Sequence, residues 1–263
     1  MAVTWTVLGS GSGGNCTVVS SSRTQVLIDA GFSCRETERR MRCAGLDPQA
    51  TDAILITHDH SDHIRGVERL SRVLRAPVYM TEATYQGWQR WAAEKKLADL
   101  LPRRERFAAG REFAVGDISV LSFTTPHDAS DPVGFALRAE GVKLAVATDL
   151  GCVPANVAEA VRGCDLLMIE SNHDLELLRT GPYPWPVKQR VMSRVGHLSN
   201  EALADFFLTQ YDGAAAYVIL AHLSAQNNHP EIARRAAEQA LGARARGGLM
   251  LASQAEGLES VRL

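Results

Sequence analysis

The chain has 263 residues, of which 46% are hydrophobic and 22% charged, with a formal net charge of −2. That is enough apolar material for a sizeable core, and the near-balanced charge argues against a protein that seeks polyanions with its whole surface, leaving that role to local basic patches. The opening residues MAVTWTVLGS lack the basic and apolar regions of a secretory signal, and apolar runs such as AAAYVILA fall far short of the roughly 20 residues that a membrane-spanning helix needs. Five cysteines, Cys16, Cys34, Cys43, Cys152 and Cys164, form no CxxC pair. They read as reduced thiols of a cytosolic protein, mostly small core residues.

The first elements are short β-rich runs at Thr4–Leu8, Thr17–Ser20 and Gln25–Asp29, separated by Gly/Ser and Ser/Arg turns. A helix is predicted over Arg35–Cys43, closed by Gly45. Ala53–Ile56 reads as a buried strand, and Ile64–Leu74 as an amphipathic helix with Ile64, Val67, Leu70 and Leu74 on one face. Val78–Met80 is a short strand and Glu82–Leu100 is mainly helical. Between Phe107 and Thr148 four strands are predicted, within REFAVG, ISVLSFTT, GFALRAEG and KLAVATD. Strands at Leu166–Glu170, Tyr217–Ala221 and Leu249–Ala252 then alternate with helices at Pro154–Arg162, Asn200–Tyr211 and Pro230–Leu241. Each half of the chain runs from β-hairpins to strand–helix alternation. The expected fold is of the α/β class: a four-layer αββα sandwich, two mixed β-sheets flanked by helices. No boundary segment divides it, so residues 1–263 read as one domain.

Gly9-Ser10-Gly11-Ser12-Gly13-Gly14 satisfies G-x-G-x-x-G after a strand, with Asp29 where a ribose-binding acid would stand. A dinucleotide site requires a helix to start at the last glycine. Here Asn15-Cys16-Thr17-Val18-Val19-Ser20 follows, which is β-branched and turn-forming. A glycine-rich hairpin beside an active site is the better reading.

The segment His58-Asp59-His60-Ser61-Asp62-His63 ends a buried strand and opens a helix. Burying so much charge without compensation would cost many kcal/mol, which points to metal binding. Alternate residues of an extended segment point the same way, so His58 and His60 converge, while Asp62 and His63 turn back from the helix start. Four such groups exceed what a single tetrahedral ion with an open position requires, so two ions are expected. Asp59 and Ser61 read as spacers. Further donors should come from strand ends, where open sheets place ligands: His127 after ISVLSFTTP, Asp149 after KLAVAT and His222 after YVILA. His197, in the loop GHLSN, and His173, in ESNHD, are candidates for catalytic or substrate-binding roles. His229, before Pro230, reads as a helix-capping neighbour. Imidazole and carboxylate without thiolate suit Zn, Mn or Fe.

HDHSDH, TTPHDASDPVGF, ATDLG and LAHLS, in that order, together with Leu27-Ile28-Asp29-Ala30-Gly31, resemble the motifs of the metallo-β-lactamase fold superfamily. The resemblance covers essentially the whole chain. It implies that His58, His60 and His127 hold one ion, that Asp62, His63 and His222 hold the other, and that Asp149 bridges them. Asp62 would also belong to the catalytic set, and Asp29 would orient a ligand. LGSGSGGNC, ESNHD, YPWPVKQR and GHLSNE are similar to the WalJ/YycJ-type branch, which implies 5′→3′ exonuclease activity on double-stranded DNA supported by manganese. In the neighbouring tRNA-processing enzymes a Glu orients a His that protonates the leaving oxygen, and Glu170 and His197 match those positions.

The resemblance thus implies a dinuclear, metal-dependent phosphodiesterase in which a hydroxide between two cations attacks phosphorus and His197 supplies the leaving group's proton. A small-molecule hydrolase (thioesterase, lactonase or cyclic-phosphate diesterase) is the alternative, and a non-catalytic metal-stabilised module a third. No tRNA-gripping arm stands out between His63 and His127. Arg65, Arg69 and Arg72 form a helical stripe, and Arg103, Arg104 and Arg106 a loop cluster. Both read first as solvated surface and second as phosphate contacts. Trp185, between two prolines, reads equally as a packing residue or as a stacking platform for a terminal base. No motif sets the oligomeric state, and a dimer is compatible with the sequence.

Overall fold

The computed structural model describes residues 2–97, 101–244 and 248–263. Among them, strands β1 (Thr4–Gly9), β2 (Cys16–Ser20), β3 (Gln25–Ile28), β4 (Thr51–Leu55), β5 (Val78–Met80) and β6 (Arg104–Arg106) form one sheet. Strands β7 (Glu112–Val115), β8 (Ile118–Thr124), β9 (Val133–Ala139), β10 (Val142–Ala147), β11 (Leu166–Glu170), β12 (Tyr217–Ala221) and β13 (Leu249–Leu251) form the other in sequence order. The last strand, β14 (Val261–Arg262), returns to pair with β1 at the edge of the first sheet.

Both sheets are mixed in the same sense. Pairing is antiparallel through β1, β2 and β3 and parallel from β3 to β6. In the second sheet it is antiparallel through β7, β8, β9 and β10, then parallel to β13. The parallel halves are covered on both faces, because their crossovers are helices.

Period-two alternation explains the layers. In β3, Val26 and Ile28 enter the core between the sheets, while Leu27 faces outward onto Met41 of helix α1 (Cys34–Cys43) and its neighbours. In β11, Leu166 and Met168 face the same inner core, while Leu167 and Ile169 face the outer one. Helices α2 (Ser61–Ile64), α3 (Val67–Leu74) and α4 (Glu82–Glu94) belong to the first half. Buried residues of α1, α3 and α4 cover the first sheet. Helices α5 (Ala155–Val161), α6 (Leu175–Thr180), α7 (Trp185–Val191), α8 (Asn200–Thr209) and α9 (Pro230–Leu241) belong to the second half, and α5, α8 and α9 supply its outer core. The expected αββα sandwich is the observed one.

Several local expectations change. The helix predicted over Ile64–Leu74 is two helices, because the chain bends at Gly66, whose N–H donates to Ala30 O at 2.8 Å. A Cβ at Gly66 would meet Phe32 O at 2.0 Å, so the close approach itself demands glycine. The helix predicted over Glu82–Leu100 is observed to Glu94, and residues 98–100 lie outside the described residues. Of the arginine cluster expected in a loop, Arg104 and Arg106 lie in the edge strand β6, and Arg103 immediately precedes it. Helices α6 and α7 were not predicted. Asp174 caps α6 by accepting from Glu176 N and Leu177 N, and Pro186 stands in the first turn of α7. Both cues are in the sequence, but each helix is too short to show a period.

Candidate metal centre

The loop after β4 delivers the first four donors. His58 and His63 are buried, and His60 and Asp62 are partly open. Asp59 is more than a spacer: its carboxylate accepts from Ser130 N at 3.0 Å and Ser130 Oγ at 2.6 Å. That ties the loop to the β8–β9 connection, so the first sheet's donors are fixed against the segment that carries His127.

The second sheet contributes its groups singly, each from beyond or at a strand's C-terminal end. His127 follows β8, Asp149 follows β10, Glu170 closes β11 and His222 follows β12. Asp29 after β3, Asp149 and His222 have φ of 63°, 59° and 56°. A non-glycine residue in this left-handed region costs on the order of 1 kcal/mol or more. Three such residues, each at a strand end, turn their side chains back toward one space between the sheets. The cost is local, and the surrounding hydrogen bonds hold it.

Among the described residues, donor atoms within 4.8 Å of one another fall into overlapping groups: His58, His60 and His127; Asp62, His63 and His222; and His58, His63 and Asp149. Asp149 faces both sides. Its Oδ2 is 3.3 Å from His63 Nε2, and its Oδ1 is 3.7 Å from both His127 Nε2 and His222 Nε2. Glu170 and His197 join Asp149 and His222 in a fourth group. His173 enters none of these groups. Its backbone bridges Ser199 and accepts from Asn200 N at 2.8 Å, which anchors the loop that carries His197. His229 caps α9, accepting from Glu231 N.

Each buried imidazole of the donor groups spends its Nδ1 on a structural partner, which fixes the ring and turns Nε2 toward the centre. His63 Nδ1 donates to Asp29 Oδ2 at 2.8 Å, and His222 Nδ1 to Glu170 Oε1 at 3.0 Å. His58 Nδ1 is 3.0 Å from Thr57 Oγ1, and His127 Nδ1 donates to Gly196 O at 2.9 Å. Thr57 in turn donates to Asp29. His197 Nδ1 donates to Glu170 Oε1 at 2.7 Å, while Glu170 Oε2 accepts from Leu150 N and Leu198 N. One buried carboxylate therefore orients His197, His222 and the residue following Asp149. The sequence pointed to Glu170 as a partner of His197 alone.

The centre attracts positive charge. Against burial, the carboxylates of Asp149, Asp29 and Asp62 hold the His63 imidazole well above its ordinary range. Against burial, Asp149, Asp62 and Glu170 do the same for His222. Glu170 is driven low despite its burial, chiefly by His197. His58 is pushed down by burial and by the His63, His127 and His60 rings. His58 Nε2 and Asp149 Oδ2 are buried with no hydrogen-bond partner. Orphaned donors inside a carboxylate-rich, imidazole-lined space match what a divalent cation requires, and the residues fit one.

The glycine-rich segment buttresses this centre. It leads from β1 into β2 with no helix, so the dinucleotide pattern lacks its structural context. Asn15 Nδ2 lies 3.2 Å from Asp62 Oδ2 and 3.0 Å from His63 Nε2. Ser10 Oγ donates to Asn15 Oδ1 and accepts from His222 N. Gly31 completes the support: a Cβ there would meet Asp62 O at 1.7 Å. Asn15 and Ser10 were not singled out from the sequence, although both lie in the quoted LGSGSGGNC.

A cavity of about 260 Å³ opens onto the centre, lined by Ser12, His60, Ser61, Asp62, Asp149, Arg190, His197 and His222. Arg190 was missed as an individual residue, though YPWPVKQR contains it. Five of the six arginines named from the sequence are engaged elsewhere. Arg104 and Arg106 pair with Glu82, Arg103 with Glu105, Arg72 with Glu68, and Arg65 Nη1 donates to Gly13 O. These contacts favour the solvated-surface reading. Trp185 is 59% exposed, which removes its packing role.

Among family models, the beta-lactamase superfamily domain matches residues 24–223. Exodeoxyribonuclease YycJ of Bacillus anthracis is 38% identical over 92% of this chain and 90% of its own length. Exodeoxyribonuclease WalJ of Streptococcus pneumoniae is 36% identical over 87% of this chain and 84% of its own. The crystal structure of the metallo-beta-lactamase fold protein YhfI from Bacillus subtilis superposes with a TM-score of 0.72 at 16% identity, covering 98% of this chain and 99% of that one. No helix among the described residues is long and apolar enough to cross a membrane. With fold, donor cluster and relatives in agreement, the chain belongs to the metallo-β-lactamase fold superfamily, in the branch of the YycJ and WalJ proteins, and is a metal-dependent hydrolase.

Proposed function

We propose that the chain is a dinuclear phosphodiesterase that degrades DNA as a 5′→3′ exonuclease, working as one domain over its whole length. The observation that carries this reading is the Glu170–His197 pair, 2.7 Å apart, whose imidazole lines the same cavity as Asp62, Asp149 and His222. A thioester's thiolate leaves without such a positioned donor, whereas expelling an alkoxide from phosphorus calls for one. The names of the YycJ and WalJ relatives, both exodeoxyribonucleases, support DNA as the substrate.

In this reading His58, His60 and His127 would hold one ion, Asp62, His63 and His222 the other, and Asp149 would stand between them. Two divalent cations, Zn or Mn with Fe as a third candidate, would supply an activated water and positive charge against the phosphate. Asp29, Thr57, Gly196 and Glu170 fix the ring orientations before substrate arrives, which lowers the reorganisation needed at reaction. Glu170 favours the charged form of His197: against burial, its carboxylate raises the imidazole above the ordinary range. His197 then holds a proton at the cavity wall for the leaving oxygen.

One panel tests the reading: metal content of the purified protein, then turnover of 5′-labelled and 3′-labelled duplex DNA, bis(p-nitrophenyl) phosphate, a thioester and a β-lactam with Mn²⁺ or Zn²⁺. Expected is release of labelled nucleotide from the 5′ end first. Turnover of the thioester or lactam alone, abolished by Asp149→Ala, makes the chain a small-molecule hydrolase instead. Bound metal with no turnover of any substrate favours a binding module.

A further inference from the structure

Arg190 is the one arginine lining the cavity at the metal centre among the described residues. It projects from α7 with 58% of its side chain exposed, and its Nε and Nη2 both donate to the Asp128 carboxylate, the latter at 3.2 Å. Asp128 in turn stands 3.6 Å from His127 Nε2 and 4.0 Å from His60 Nε2. The guanidinium is therefore held in a two-pronged fork at the rim of the site, with Nη1 left over for a further acceptor. An exposed ion pair of this kind adds little to stability. Its position beside the donor cluster is the more telling property.

Arg190 is also tied rigidly to the chemistry. His197 N donates to Val191 O at 2.9 Å. A Cβ at Gly196 would meet Arg190 O and Val191 O at 2.2 Å, so the loop between α7 and His197 is packed against the end of that helix. The proposed cations would meet the phosphate being cleaved, so a neighbouring phosphate of a polymer lacks a counter-charge unless a cation stands at the entrance outside the donor cluster.

We propose that this rim is a phosphate-binding subsite: Arg190, oriented by Asp128, contacts the phosphate next to the one being cleaved, with the Ser12 hydroxyl on the cavity wall as a further donor. The inference rests on the phosphodiesterase reading and adds to it a residue that sets specificity for a polymeric substrate. Arg suits the role because its planar fork can hold Asp128 with two parallel bonds and still offer a donor to a phosphate oxygen, whereas a lysine's ammonium lacks that fixed fork.

The test uses the metal-loaded enzyme with duplex DNA and compares Arg190→Ala, Arg190→Lys and Arg162→Ala. Arg162 is an exposed arginine paired with Glu159 and serves as a control for loss of charge alone. Expected for Arg190→Ala is a KM raised about 10-fold or more with kcat changed far less, and a log–log salt dependence of kcat/KM shallower by about one unit. Arg190→Lys should recover part of the loss, and metal content should equal the wild type's. The double variant Asp128→Ala, Arg190→Ala should be no worse in KM than Arg190→Ala. Wild-type KM and salt slope in Arg190→Ala, or the same change in Arg162→Ala, would overturn the subsite while leaving the phosphodiesterase reading intact. A wild-type enzyme that does not cleave DNA removes that reading, and the subsite with it.

Discussion

The two donor groups are built from similar residues but backed differently. In the group of Asp62, His63 and His222, both rings lean on buried carboxylates, Asp29 and Glu170. In the group of His58, His60 and His127, the backing atoms are a hydroxyl and a carbonyl, on Thr57 and Gly196. A carboxylate behind an imidazole makes the ring a better ligand and compensates a buried cation. The difference teaches that a shared histidine motif does not imply equal sites. The carboxylate-backed group should hold its ion more tightly, and the neutral-backed, more open group should exchange first.

The largest expected effect tests what joins the groups. On the dinuclear reading proposed above, Asp149→Ala removes the carboxylate that faces both groups, so metal content should fall from two ions per chain toward one, and diesterase turnover should fall to background. Elemental analysis beside a bis(p-nitrophenyl) phosphate assay reads both, and two retained ions would show that Asp149 is not shared. Next, His197→Ala should lower diesterase kcat about 10²–10⁴-fold with metal content unchanged. Loss of metal instead would make His197 a ligand.

A direct contrast of the backing groups follows. Asp29→Asn should weaken metal binding about 10–100-fold, and Thr57→Val should weaken it less, as read by chelator competition. Equal losses, or the reverse order, would break the comparison. The smallest effect lies outside the centre, where a carboxylate backs cations at the surface. Glu36 is held down to about 2 from the ordinary 4.5, first by the hydrogen bond from Arg39 and then by that from Arg40. A lowered carboxyl value means its stabilisation is complete above pH 4.5 and is lost as pH falls toward 2. Because the group is partly open to solvent, which screens the ion pairs, that contribution is at most about 1 kcal/mol. The melting difference between wild type and Glu36→Gln should be small at pH 7 and vanish near pH 2, and a difference that persists there would assign it to packing.

Legibility followed locality. The αββα sandwich was readable because Val26–Leu27–Ile28 and Leu166–Leu167–Met168–Ile169 are apolar on both faces, which only sheets covered on both sides can bury. HDHSDH was readable because its donors sit side by side in the chain. His127, Asp149 and His222 could be inferred one at a time from strand ends. The break at Gly66 was not readable, since nothing in the local periodicity reveals that Ala30 and Phe32 approach it from across the fold. Short α6 and α7 carried capping cues but no period.

The sequence by itself determined the layers, the candidate donors and the family, because hydrophobic alternation and ligand chemistry are properties of residue types and their spacing. Tertiary structure alone decided which donors meet and what stands behind them. Glu170 serves two histidines, Asn15 reaches Asp62 and His63 from the glycine-rich turn, and Arg190 is brought to the cavity by a helix with no visible period. Each of those pairings joins residues far apart in the chain. A hydrogen bond of about 3 Å between them is set by the packing of two sheets, and no local pattern encodes it.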